Sequence, residues 1–162
     1  MQILEKISLT LNRILIFIGG TFLAGMVVLT CLNIFFRIVW VPVKGTFELM
    51  GYAGAVITAF ALGYTQINKG HIAVDILVKC FSQKAQKIIS CINSVIFLIF
   101  FSLAGWQVVK LGTNLMQTGE TTETLRIVYY PFTYGVALGC FALALVMLVD
   151  ILKYFTNEKE AG

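Results

Sequence analysis

Four uncharged stretches dominate the chain: residues 14–36, 49–67, 88–109 and 127–149, with lengths of 23, 19, 22 and 23 residues. A helix crossing the ~30 Å hydrocarbon core of a bilayer needs roughly 20 mainly apolar residues at about 1.5 Å each, so every stretch is long enough to span. Together they take 87 of the 162 residues, and no segment between them is long enough to form a soluble catalytic module. Composition agrees, since 12% of residues are charged and 59% hydrophobic, about half the charged fraction of soluble domains. The expected fold is all-α and integral to the membrane. It is a single four-helix membrane domain over residues 1–162, with spans at about 14–36, 48–67, 88–110 and 127–152.

The first stretch follows two basic residues, Lys6 and Arg13, as a secretory signal would. Its length exceeds the roughly 7–15 apolar residues of a signal core, and Phe35, Phe36 and Arg37 offer no small-residue cleavage site. It is read as a retained first span. Cys31, Cys91 and Cys140 lie inside apolar stretches and Cys80 in the second loop, without a CxxC or Cys/His cluster. They read as small hydrophobes and not as a disulfide framework or metal site.

With four spans, the N-terminus, second loop and C-terminus share one side. That side carries eight basic residues (Lys6, Arg13, Lys69, Lys79, Lys84, Lys87, Lys153 and Lys159) against four (Arg37, Lys44, Lys110 and Arg126) on the other. The excess of Lys and Arg near span ends predicts that both termini are cytoplasmic. Trp40, Phe47, Trp106, Tyr129 and Tyr130 fall at the opposite, outer ends of the spans, where amphipathic rings suit the headgroup level. Pro42 and Gly45 in the short first loop imply that spans one and two are antiparallel neighbours.

Residues 68–87 are longer than a common helix connection. At 100° per residue Asp75, Lys79, Ser82, Gln83 and Gln86 share one face, and Val74, Leu77, Phe81 and Ile88 the other, with Lys84 snorkelling from the apolar side. This predicts an amphipathic helix over about 71–87 lying in the interface, with Lys79, Lys84 and Lys87 as candidate contacts to lipid headgroups. The competing reading of the same segment is a solvated helical elbow.

Catalytic chemistry is not expected. The chain has a single histidine, His71, outside the spans, so a bis-histidine haem is excluded by count. No nucleophile–base set, paired intramembrane carboxylates, glycine-rich phosphate loop or basic nucleic-acid surface is present. No catalytic, cofactor-binding or metal-binding residues are assigned. Charged groups deep in the bilayer mark ion or substrate paths, yet Glu48 and Asp150 sit only at span edges. The polar residues within spans, Asn33, Thr58, Asn93, Ser94, Ser102 and Gln107, are expected to make interhelical hydrogen bonds. Small residues at four-residue spacing, Gly51, Ala55 and Ala59 in span two and Gly135 and Gly139 in span four, imply close helix contact with a neighbour inside or outside the chain.

The order of residues from the end of span one to the second loop is distinctive. Asn33 to Arg37 close span one, Glu48 opens span two and Ala61-Leu62-Gly63-Tyr64 closes it. Lys69-Gly70-His71-Ile72-Ala73-Val74-Asp75-Ile76-Leu77 follows. This resembles the small membrane subunit of tripartite ATP-independent periplasmic (TRAP) transporters, the DctQ-like family. The third loop is similar too, with Gly119, Thr121, Thr122, Leu125 and Ile127, although Val128 stands where a proline is usual and Pro131 lies deeper.

The resemblance implies a non-catalytic scaffold subunit in the bacterial inner membrane. Its implied partners are a large multi-span TRAP membrane subunit, which carries the substrate and sodium sites, and a periplasmic substrate-binding protein that delivers an organic acid. Membrane lipids are the further expected partner, and nucleic acid is not one. The candidate structural or interface residues are Arg37, Glu48, Gly70, His71 and Asp75. Arg37 and Glu48 are expected to pair across the first loop. Gly70 is expected to allow a sharp exit from span two, and His71 and Asp75, at i and i+4, to bond each other or a partner backbone. Ordinary caps or exposed pairs are the alternative for each. The alternative for the whole chain is a small transporter or channel that self-assembles.

Overall fold

A computed structural model describes residues 2–68 and 83–160 of the chain. Among these residues there are four helices, α1 (Gln2–Val39), α2 (Thr46–Ile67), α3 (Gln83–Thr118) and α4 (Tyr130–Glu160). All four contain segments long and apolar enough to cross a membrane, so the protein is an all-α, four-span membrane protein. No strand forms among the described residues, apart from one antiparallel bridge between Thr121 and Val128.

At about 1.5 Å per residue, α2 is roughly 33 Å long and just crosses the hydrocarbon, whereas α1 and α3 exceed 50 Å and extend beyond it. Helix continues beyond the first apolar stretch over residues 2–13 and 37–39, and beyond the third over residues 83–87 and 110–118. The expected interfacial helix over about 71–87 falls largely on residues 69–82, outside the described residues. Lys84 and Lys87 stand in the first turns of α3.

α4 touches all three other helices, α1 packs on α2 and α4, and α3 packs on α4. Burial follows this order. Ala137, Cys140, Ala142, Leu143, Ala144, Val146, Met147 and Val149 of α4 are all buried, and Leu15, Val56, Phe60 and Ala142 form the centre where α1, α2 and α4 meet. The alternation of alanine with larger residues lets three helices approach α4 together.

The Gly135–Gly139 pair is used inside the chain. A Cβ on Gly139 would stand 2.5 Å from the Ala59 carbonyl oxygen, and one on Gly135 would stand 3.3 Å from Val56. The small-residue series of α2 divides: Ala59 is buried in this contact, while Gly51 and Ala55 face outward. Four residues do not complete whole turns of a 3.6-residue helix, so a drift of about 40° per step turns the series off one face.

Two of the intramembrane polar residues depart from expectation. Thr58 donates to the Gly54 carbonyl in its own helix at 2.8 Å, and Asn33 Oδ1 accepts from the Val43 backbone N–H in the first loop at 2.9 Å. A threonine hydroxyl reaches the carbonyl four residues back without needing a neighbour, as Thr21, Thr30, Thr65 and Thr113 also do.

Candidate functional site

Polar contacts between elements gather at the two ends of the helices, one carrying both termini and the other the first and third loops. At the loop end, Gly45 enters the left-handed region at φ 75° and starts α2. Thr46, next in line, donates to the Val43 carbonyl at 2.8 Å. Glu48 follows in the first turn, where a carboxylate complements the helix dipole. Its oxygens accept the backbone N–H groups of Thr124 at 2.7 Å and Leu125 at 3.2 Å. An ionised acceptor on two successive amides makes the strong class of hydrogen bond.

The third loop is shaped to present those amides. Thr122, buried, donates its N–H to Ile127 O at 2.9 Å, while its hydroxyl accepts Ile127 N–H at 3.1 Å and its carbonyl accepts Arg126 N–H at 3.1 Å. One threonine thus closes a turn over residues 122–127. Arg126 takes φ 52° within it. The Leu125 side chain fills the space beside the bare Cα of Gly45. Below the turn, Tyr52 of α2 meets Tyr129 edge-on at 5.2 Å and stacks on Phe132 at 5.4 Å. Loop three therefore joins α2 to α4 at this end.

The sequence reading identified Glu48 but assigned it another partner. Arg37 is exposed at the end of α1, and Glu48 forms no ion pair with it. The reason is geometric: loop three lies over the start of α2 and offers two N–H donors there. Gly70, His71, Asp75 and Lys79 lie outside the described residues.

At the termini end, three polar contacts descend in layers. Asn12 of α1 is fully buried, its Nδ2 donating to Ser8 O at 2.9 Å and its Oδ1 facing Gly63 of α2. Gln66 Nε2, one turn farther along α2, donates to Asp150 Oδ2 of α4 at 3.3 Å. Lys153 Nζ then donates to Glu5 Oε1 of α1 at 2.6 Å. Glu5, Asn12 and Gln66 were missed as contact residues in the sequence. The available signal was the spacing of Glu5, Ser8, Asn12, Leu15 and Gly19, steps of three and four that mark one face of a helix.

The outward faces of α1 and α3 are apolar. Phe17, Val27 and Phe35 on α1 and Ile96, Phe100 and Leu103 on α3 are all exposed. The arrangement is thus a layer clamped at both ends, with broad apolar flanks.

A family model for the DctQ component of tripartite ATP-independent periplasmic transporters matches residues 26–157. The chain belongs to the DctQ family. No curated protein and no solved structure matches it. The matched region contains α2, α3, loop three with Glu48's two amide partners, and all but the last turn of α4. This DctQ protein is a multi-pass bacterial membrane protein and a component of a transporter, a class that is generally not enzymatic.

Proposed function

We propose that this DctQ protein is the scaffold of its transporter. It would hold a large multi-span membrane subunit in place while that subunit carries out sodium-coupled uptake of an organic acid supplied by a periplasmic binding protein. Family membership supports the assignment. The observation that carries the scaffold role is the combination of four uncharged stretches with helices fastened at both ends. A helix that moves a charged substrate needs charged or broken segments at membrane depth; a scaffold needs rigidity and apolar contact area. On this reading the protein sits in the inner membrane with the termini end cytoplasmic and loop three periplasmic, in line with the eight-to-four division of basic residues.

Co-expression with the large subunit tests it. The expected result is a stable heteromer, with uptake in proteoliposomes requiring both chains and the binding protein. A homo-oligomer of this chain that transports by itself would overturn the proposal.

A further inference from the structure

The third uncharged stretch ends at Val109, so in sequence Lys110 closes a span. Helix register places it deeper. Gly105 of α3 lies against Cys140 and Phe141 of α4, and Gly112 lies against Tyr134, so in this antiparallel pair Lys110 is level with Val136. Gly135 lies against Val56 and Gly139 against Ala59, which sets that level at the middle of α2. Along α4, Val136 is six residues from Tyr130 and 14 from Asp150, or about 9 Å and 21 Å. The two distances together match the ~30 Å thickness of the hydrocarbon, so Lys110 lies inside it. The same register brings Trp106 near the level of Cys140, deeper than the headgroup position expected of it.

Lys110 makes no ion pair among the described residues. Glu48 lies about 13 Å nearer the loop end, with its oxygens on the Thr124 and Leu125 amides, and Asp150 lies about 21 Å nearer the termini end, accepting from Gln66. The nearer surface is hard to reach as well. α3 runs toward the loop end, and helical side chains lean back toward the helix N-terminus, so the Lys110 side chain sets out toward the interior of the bilayer. It belongs to a polar row: Gln107, Lys110, Asn114 and Gln117 follow at steps of three, four and three, on the side of α3 opposite Gly105 and Gly112 at 100° per residue. All four are exposed. Gln107 is level with Gly139 and Asn114 with Phe132, so the row starts near the middle of the bilayer and climbs toward the loop end. Charged and carboxamide side chains at such depth are costly against acyl chains and are met by polar partners.

We infer that this row is the docking face for a transmembrane helix of the large membrane subunit, and that the docked helix brings an Asp or Glu carboxylate level with Lys110. The identity of the partner rests on the scaffold reading above; the charge and depth of Lys110 set the partner's chemistry. A carboxylate neutralises the ammonium and accepts its hydrogen bonds, while the carboxamides of Gln107 and Asn114 bond polar groups of the same helix. A second copy of this chain does not serve. Lying in the same orientation, it offers no carboxylate at that depth among its described residues. A phospholipid headgroup lies too high, and acyl chains carry no acceptor.

The test co-expresses the full-length chain with the large subunit and measures the dissociation constant of the purified heteromer in detergent. Lys110→Met should weaken it about thirtyfold or more, the low end for truncating one partner of a buried charge pair. Lys110→Glu should weaken it further, and Lys110→Arg should keep most of the affinity. Lys44→Gln, which removes an exposed lysine in the first loop, should leave it unchanged. Alone in micelles, the Lys110→Met chain should unfold at the unmodified chain's temperature or above, which separates a lost interface from a damaged fold. A lower unfolding temperature would place the partner of Lys110 inside the chain and overturn the inference. A heteromer indifferent to both Lys110→Met and Lys110→Glu, or weakened equally by Lys44→Gln, would overturn it and leave the scaffold reading standing. Impaired uptake by a Lys110→Met heteromer of full affinity would also overturn it, since Lys110 would then serve an anion path, as would a homo-oligomer abolished by Lys110→Glu, which would give the face to a second copy. If the unmodified chain forms no heteromer, the scaffold reading fails and the inference with it.

Discussion

Asn12 of α1 rests against the bare Cα of Gly63 in α2, with its Oδ1 directed at the position a Cβ would occupy. That oxygen is buried and has no conventional donor, so the Gly63 Cα–H is the group presented to it, a weak contact of the kind that recurs where helices pack closely. Because Asn12 is fully enclosed, it has little room to yield. Gly63→Ala should destabilise the fold by about 1–3 kcal/mol, the usual cost of adding a methyl to a full site. Asn12→Ala in the same chain should recover part of that loss. A double-mutant cycle on denaturant unfolding in micelles measures it, and a coupling under about 0.5 kcal/mol would mean that the two residues act independently.

Not all glycines of these helices are equivalent, and the α2–α4 contact shows the difference. At Gly139 a Cβ would meet backbone, the Ala59 carbonyl, which cannot rotate aside; at Gly51 nothing lies within 4 Å. Gly139→Ala should therefore cost about 1–3 kcal/mol by forcing the helices apart, whereas Gly51→Ala should fall within about ±0.5 kcal/mol or stabilise slightly. Thermal unfolding of the two variants side by side provides the test. Similar midpoints for both would refute the close approach of α2 and α4 at Ala59.

The contrast between Gly51 and Gly139 also marks what could be read in advance. The all-α fold with four long apolar helices was legible because an uncharged stretch of about 20 residues has one stable solution in a bilayer. Glu48 stood out as a lone charge at a span edge. Its partners did not, since they are backbone N–H groups some 76 residues away, and a backbone amide carries no residue-type signal. For the same reason the pairing of Glu5 with Lys153, 148 residues apart, was not legible: Lys153 entered only as a basic residue for orientation and Glu5 not at all. The extension of α1 and α3 past the apolar stretches was invisible to a hydropathy argument, because polar residues are tolerated in a helix once it leaves the hydrocarbon.

Glu48 carries a specific prediction about loop three. With both oxygens on the Thr124 and Leu125 amides, Glu48→Ala should release both, and amide hydrogen exchange at these two positions should accelerate on the order of tenfold as the turn opens locally. Glu48→Gln, which keeps one neutral acceptor, should fall between. Arg37→Ala should leave both amides protected. If Arg37→Ala and Glu48→Ala had the same effect on exchange, an ion pair across the first loop would be the better account.

Two of the described glycines take left-handed backbone conformations and separate strain from crowding. Gly45 at φ 75° lies under Leu125, so that a Cβ there would collide with the leucine side chain; Gly119 at φ 66° has nothing within 4 Å. An alanine in this region costs roughly 1–2 kcal/mol from its own backbone contacts, whatever surrounds it. Gly119→Ala should show that cost alone. Gly45→Ala adds the collision, and because Leu125 N–H is one of the two amides held by Glu48, the displaced leucine should loosen the whole turn. Leu125→Ala in the Gly45→Ala background should return the loss to about the Gly119→Ala level, since it removes the crowding and leaves the strain. Unfolding free energies of the three variants decide the matter: a Gly45→Ala loss equal to that of Gly119→Ala, with no relief from Leu125→Ala, would show that loop three does not press on the start of α2.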